Sequence, residues 1–325
     1  MGGPAGRDSV TPDVAVVVAT QNRSRLLPRL VGCLESQTMP KDRFEVVVAD
    51  NASTDATPEV LETLCSTTSV RLRAVRLETN RGPAAARNAA WRASGAPVVA
   101  CTDDDCQPEP TWLEAGIRAL AHDPNIGVVQ GRTEHPVDAG SYRWTDWTVA
   151  RQVREPTPWF EGCNLFFRRD ALDAVGGFDE ALGWIGEETS LGWGILAGGW
   201  WRAFADDAVV RHDLGERGFR WHLRARYLEW HHVRTARRYP DFHATFWRPW
   251  AMHRFDAEFA LAALGALLGL RWRSGLVLAL PYARRRLPRP GHPRFVRLCC
   301  ERIAVDAAAL AGKLVASVRF RRLVV

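Results

Sequence analysis

Short apolar runs separated by polar loops and amphipathic stretches set the pattern of the first half of the chain. Val14 to Thr20, Phe44 to Ala49 and Val98 to Cys101 are apolar and β-branched, the pattern of strands buried on both faces, and Val70 to Leu77 reads as a further strand between them. Helix patterns lie between them. Leu27, Leu30, Val31 and Leu34 share one helical face with Ser24 as the expected N-cap, and Thr57-Pro58-Glu59 opens a second helix in cap and first-turn order. A third helix carries Arg87 and Asn88 and stops near Gly95, and Leu113, Ile117 and Leu120 mark a fourth, entered through Pro110. Ile126 to Gly131 reads as one more strand. Strands alternating with helices at this spacing predict an α/β fold, with a mainly parallel sheet flanked by helices.

After Gly131 the texture changes. His135 to Phe160 is rich in Trp and in loop residues, an excursion on the substrate side rather than core. A short helix closed by Gly176-Gly177 follows, Gly186-Glu187-Glu188 enters another, and Val209 to His212 ends the acidic part of the chain. Phe219 to Tyr239 places Arg, His and aromatic residues at helical spacing. Ala257 to Leu270 is an apolar run of about fourteen residues, too short to span a bilayer core of about 30 Å. Three regions result: a flexible tail at 1–13, an α/β domain at 14–215 and a basic helical extension at 216–325.

Charge sharpens that division. The net charge of +6 hides roughly −9 over residues 1–210 and roughly +15 over residues 211–325, nearly all of the excess being Arg. Apolar runs flanked by Arg and Trp, with Arg284-Arg285-Arg286 beyond, suit segments lying in the interface of an anionic membrane surface; a helical subdomain packed on the first domain is the alternative. No nucleic-acid-binding module accompanies the charge, so no nucleic acid partner is expected. The seven cysteines are odd in number and lack paired two-residue spacing, which argues against a disulfide framework or a zinc site and for a reducing cytoplasm. Met1 to Asp13 has no apolar core, so it is read as neither signal peptide nor anchor.

Carboxylates collect at strand ends. Asp50 follows the second strand in Asp50-Asn51-Ala52-Ser53-Thr54-Asp55, and Asp103-Asp104-Asp105 follows the fourth. The carboxyl edge of such a sheet is where ligands bind, and adjacent carboxylates repel one another unless a cation is shared among them. Oxygen ligands at this density suit Mg²⁺ or Mn²⁺, which take further ligands from substrate phosphates. A solvated acidic turn is the plain alternative.

These motifs keep company in one order: Thr20-Gln21-Asn22-Arg23, Asp50, Asn80-Arg81-Gly82 with Arg87-Asn88, Asp103-Asp104-Asp105, Gly162-Cys163-Asn164, Gly176-Gly177-Phe178-Asp179, Glu187-Glu188 and His212. The set resembles a family 2 glycosyltransferase of bacterial type with the GT-A fold, over about residues 14–215. The resemblance implies an inverting transferase for a nucleotide-diphosphate sugar of UDP or dTDP type, with Thr20, Asn22, Arg23, Asp50, Arg87, Asp103 and Asp104 around the donor. It also implies Asp103, Asp105 and His212 around the metal, and Glu188, beside Glu187, as the base. The acceptor it implies is a glycan or lipid-linked molecule of cell envelope polysaccharide, met from the cytoplasm at the inner membrane face. The family usually has Glu-Asp where this chain has Glu187-Glu188. Gln21 stands where many members have Tyr, and Ser190 and Gly194 replace a common acidic residue and Arg. Transfer to a polyprenyl phosphate, which needs no base, and a non-catalytic nucleotide-sugar-binding protein are the alternatives. Trp144, Trp147, Trp159, Trp184 and Trp193 offer flat faces for sugar rings, Trp184 foremost.

Overall fold

Chain order in the first part is β1 (Val14–Thr20), α1 (Leu27–Glu35), β2 (Phe44–Asp50), α2 (Thr57–Thr67), β3 (Arg71–Arg76), α3 (Gly82–Arg92), β4 (Val98–Asp103), β5 (Cys106–Pro108), α4 (Trp112–Ala121) and β6 (Ile126–Glu134). Then come β7 (Asn164–Arg168), α5 (Arg169–Val175), α6 (Glu187–Ala197) and β8 (Trp201–His212). The computed structural model describes residues 11–142, 144–145, 147–182, 185–289, 291, 293–321 and 323–324. It divides into two compact units, one of Met1–Arg143 with Val149–Gly215, the other of Trp144–Thr148 with Glu216–Val325. Trp184 lies outside the described residues.

One eight-stranded sheet orders the first unit as β3-β2-β1-β4-β7-β6-β8-β5. The β1, β2, β3 and β4 pairs are parallel, as is β6 with β8. β1 and β2 read as near-continuous apolar runs because they lie inside this sheet, with α1 packing Leu27, Leu30 and Leu34 onto it. Three pairs are antiparallel: β7 enters between β4 and β6, and β5 pairs with β8 at the edge. The sheet is therefore mixed, and more so than the β/α alternation implies.

Three helix ends depart from the sequence reading: α2 begins at Thr57 itself, with Ala56 and not Thr57 at the cap position, α3 ends at Arg92, ahead of Gly95, and the start of α1 is shifted. Ser24 does not cap α1; its N–H and hydroxyl both donate to Asp55, and the helix begins after Leu26 with Pro28 in its first turn, where a missing N–H does no harm. α5 ends as expected: Gly176 and Gly177 take φ of 82° and 85°, and both N–H groups bond back to the Leu172 carbonyl.

The second unit is helical: α7 (Phe219–Leu228), α8 (Trp230–Arg238), α9 (Pro240–Ala244), α10 (Arg254–Gly269), a 3₁₀ segment (Arg273–Ala279), α11 (Leu280–Arg286) and α12 (Phe295–Phe320). Its small apolar core of Phe259, Ala262 and Tyr282 is joined by buried charge. Lys313, with no exposed surface, sits 2.6 Å from Asp256 and 3.5 Å from Glu229, while Arg226 reaches Glu229 and Asp256, and Tyr282 and Arg286 both donate to Asp306. Among the described residues no helix is long and apolar enough to cross a membrane.

Candidate active site

The loop after β1 is tied to the loop after β2. Asn22, at a φ of 53° that Asn tolerates, accepts from the Thr54 and Asp55 N–H groups and donates its own N–H to Ser53. Asp50 is buried there, accepting from the Ser53 N–H at 2.9 Å and pairing with Arg76. It makes the turn that Asp favours, so a donor base would join bonds already present. Asn51 extends the tie to Asn80 and Arg81.

The three aspartates after β4 point in different directions. Asp104 turns inward, accepting from the Thr20 hydroxyl at 2.7 Å and from Arg23 at 2.7 Å. Desolvation pushes its carboxyl up to about 6 even against the Arg23 charge. Thr20 and Arg23, expected at the donor, thus serve first to fix this carboxyl, and Arg23 also reaches Asp105 at 2.6 Å. Asp103 and Asp105 are left partly exposed.

β5 completes the cluster. It pairs Cys106 with His212 across the strands, and Asp213 N–H bonds the Asp105 carbonyl at 2.9 Å. His212 Nε2 consequently stands 3.5 Å from Asp105 Oδ1. Its Nδ1 lies 2.7 Å from the Asp213 carbonyl, which can only accept, so Nδ1 carries a proton and Nε2 is the ring atom that faces the carboxylates. One ligand atom each from Asp103, Asp105, Cys106 and His212 lie within 4.8 Å of one another. Two carboxylates and an aimed imidazole fit a divalent cation such as Mn²⁺ or Mg²⁺. Cys106 is an addition that no spacing in the sequence signals; burial pushes its thiol well above its usual range.

Arg87 joins this cluster to the start of α6. Buried on α3, it donates to Asp103 at 2.8 Å and to Glu187 at 3.0 Å, with Glu188 3.2 Å away. Burial alone would raise the Asp103 carboxyl, but Arg87 above all, then His212 and Arg151, hold it below its usual value. Arg151, an exposed residue of the loop before β7, was absent from the expected set. Glu187 is buried; desolvation first, then the Glu188 charge, push it up to about 8 despite Arg87. Glu188 is the partly open member of the pair. It leans on Gly162, where a Cβ would come within 2.6 Å of Glu188 Cγ and closer still to Oε1.

Other motif residues support rather than line the site. Asn88 accepts from the Phe178 N–H and the Trp91 indole and donates to the Phe178 carbonyl, clamping the Gly176–Asp179 turn to α3. Asn164 accepts from the Trp112 indole and donates to the carbonyls of Arg132 and Ala208, joining β6, β7 and β8. Trp193 is buried with its indole on the Pro158 carbonyl, and the Trp147 ring packs with Phe219 and His222 in the helical unit. Trp144 is half exposed and Trp159 partly buried.

Residues 15–178 match the model of glycosyl transferase family 2, and residues 98–283 that of glycosyl transferase family group 2. Glycosyltransferase AglE of Haloferax volcanii is 28% identical over 215 residues, covering 63% of this chain and 68% of AglE. Validoxylamine A glucosyltransferase of Streptomyces hygroscopicus subsp. jinggangensis is 30% identical over 229 residues, 60% of this chain and 54% of that relative, so the match spans about half of the longer protein. Among solved structures, the mannosyltransferase PcManGT of Pyrobaculum calidifontis, in complex with GDP-Man and Mn²⁺, superposes with a TM-score of 0.64 at 27% identity, covering 93% of this chain and 88% of that one. TarS residues 1–349 of S. aureus, in complex with UDP, superpose with a TM-score of 0.53 at 18% identity over 95% and 92% of the two chains, a likeness of fold. The architecture is that of the GT-A glycosyltransferases.

Proposed function

The chain belongs to glycosyl transferase family 2, and from that premise we propose that it is an inverting, metal-dependent glycosyltransferase moving a sugar from a nucleotide diphosphate to a glycan or lipid-linked acceptor. The observation that carries this reading is the meeting of Asp103, Asp105 and His212 at one point, with Arg87 tying Asp103 to Glu188. Asp103, Asp105 and His212 would hold Mn²⁺ or Mg²⁺, which supplies positive charge for the leaving diphosphate. Asp50, Asn22 and the turn they share form the base end; the carboxylate suits a ring N–H of uracil or thymine. Glu188, partly open, takes the proton of the acceptor hydroxyl as that oxygen bonds to the anomeric carbon. The bond from that carbon to the diphosphate oxygen breaks, and configuration inverts. Arg87 keeps the Glu188 carboxylate near Asp103, so the base and the donor's phosphate end share one frame.

A membrane location, peripheral and at the inner face, is part of this proposal, supported by the basic helical unit; it would bring the enzyme to a lipid-linked acceptor. A polyprenyl phosphate acceptor is already ionised and would not need Glu188. The test is a pair of variants. Glu188→Gln is expected to bind donor like the parent and to lose ~100-fold or more in turnover, the usual contribution of a positioned base. Asp105→Asn is expected to weaken UDP or dTDP binding measured by calorimetry with Mn²⁺. Equal nucleotide affinity in Asp105→Asn would overturn the metal assignment, and parent turnover in Glu188→Gln would overturn the base and favour the phosphate acceptor.

A further inference from the structure

We infer that α10 and the 3₁₀ segment after it form a helical hairpin that lies in the plane of an anionic bilayer, with its leucine face among the acyl chains. This rests on the membrane reading above and adds the element that makes the contact. A hairpin stable in water turns its leucines inward. Here the arrangement is reversed. Leu264, Leu267, Leu270, Trp272, Leu276 and Val277 are exposed, Leu270 to 87% and Leu267 and Val277 each to 67%. The inner face is glycine, with Leu268 and Leu278 packed against it. A Cβ at Gly265 would stand 2.6 Å from the Gly275 carbonyl oxygen, one at Gly275 would stand 2.8 Å from Leu268 Cβ, and one at Gly269 would stand 2.8 Å from Leu276 Cδ2. Small residues at the contact and large apolar ones outside are the packing of helices whose surroundings are lipid.

Charge identifies the surface and the orientation. From Phe259 to Cys300 the sequence contains no Asp or Glu, while Arg271 and Arg273 flank the turn of the hairpin and Arg284 and Arg285 lie beyond its other end. With arginines at both ends, a tip-first entry would drag Arg271 and Arg273 through hydrocarbon, whereas lying flat lets both ends reach phosphates. The apolar length agrees: the 16 residues of α10 rise about 24 Å, short of a span. A groove of about 470 Å³ at the Arg284 end is lined by Arg254, Val277, Leu280, Pro281, Arg284 and Arg285. Glu258 pairs with both Arg254 and Arg285, at 3.0 Å each, so one carboxylate stands against the three guanidiniums that line the groove counting Arg284, and the groove keeps a positive balance suited to a phospholipid headgroup.

Flotation of the full chain with vesicles of phosphatidylglycerol and phosphatidylcholine, and with phosphatidylcholine alone, tests this. The parent is expected to float with the anionic vesicles at low salt. Leu267→Glu/Leu270→Glu/Val277→Glu should lower the partition coefficient ~10-fold or more at an unchanged melting temperature. Arg271→Gln/Arg273→Gln, both exposed, should weaken anionic binding and flatten its salt dependence. Val296→Glu/Val318→Glu, at exposed positions of α12, should float like the parent. If the parent floats and the triple hairpin variant floats equally, the membrane reading stands and the hairpin assignment falls. If the parent stays soluble with anionic vesicles at low salt, both fall. A parent that is dimeric by light scattering without lipid, with a monomeric hairpin variant, would show that a second copy covers this face and would also overturn the assignment.

Discussion

Gly162 lacks a side chain where Glu188 needs the room. Glu188 is one methylene longer than the Asp usual in the family, and the volume a Cβ would occupy at residue 162 is filled by its Cγ and Oε1. Gly162→Ala should therefore displace the carboxylate by about 1 Å and lower turnover ~100-fold with donor affinity kept. Adding Glu188→Asp should recover part of that loss, because the shorter side chain clears the new methyl; steady-state assays of the two variants check it. Glu187 carries a pH signature of its own. Its native value of about 8 lies above that of an unfolded Glu, so the native state holds the proton more tightly and stability is fullest below about pH 4.5, then falls as pH rises through 8. Glu187→Gln should flatten that decline and be the more stable protein at pH 9, read as melting temperature against pH. That Asp103, Asp105 and His212 come together was legible in the order of the motifs, Asp103 and His212 each ending a strand. The inward turn of Asp104 was not, since three adjacent aspartates look alike until Thr20 and Arg23 claim one of them.

At the scale of elements, α3 does two things on successive residues. Arg87 reaches the site and Asn88 holds the Gly176–Asp179 turn, so the turn's integrity and the placement of Arg87 are linked. Gly176 and Gly177 both adopt positive φ, but a Cβ on Gly176 would meet open space and one on Gly177 would meet Asn88 Oδ1 at 2.6 Å. Gly176→Ala should lose only the backbone term, ~1–2 kcal/mol. Gly177→Ala should lose more and also depress turnover through Asn88 and Arg87. Urea denaturation beside activity measurements separates the two; equal stability loss with full activity in both would break the proposed link. β1, β2 and β4 could be read from sequence because each is an apolar run closed by turn chemistry, whereas β3, with Arg71, Arg73 and Arg76, lacks such a run. β7 could not: Leu165-Phe166-Phe167 is too short to tell from a buried helix turn, and its antiparallel entry is set by distant partners. β5, three residues long, exists only through β8, yet it delivers His212 to Asp105. α12 shows no clean stripe because its buried positions include Asp306, Gly312 and Lys313.

Across the whole molecule, charge is arranged differently in the two units. The asymmetry between an acidic first part and a basic last part was plain in the sequence, but the sequence gives no sign that the helical unit places charge in its core. Lys313 has no exposed surface, and its ammonium stands between Asp256 and Glu229, with Arg226 beside both. Desolvation would raise the Glu229 carboxyl, yet Arg226 first and Lys313 next bring it down to about 2. A depressed native value means that this group's contribution is present above the unfolded value near pH 4.5 and is lost only as pH falls through about 2. Lys313→Met keeps the volume and removes the charge. It should destabilise the helical unit by ~3–5 kcal/mol at neutral pH, because two carboxylates then share one guanidinium in a buried place. It should also move the unit's acid transition upward, since Glu229 without Lys313 takes a proton more readily. Combining it with Asp256→Leu should restore much of the neutral-pH loss, for an apolar pair of similar volume is often as stable as the ion pair it replaces. Urea denaturation from pH 3 to 8 gives both readings. A single variant as stable as the parent throughout would mean that Lys313 fills space without balancing charge.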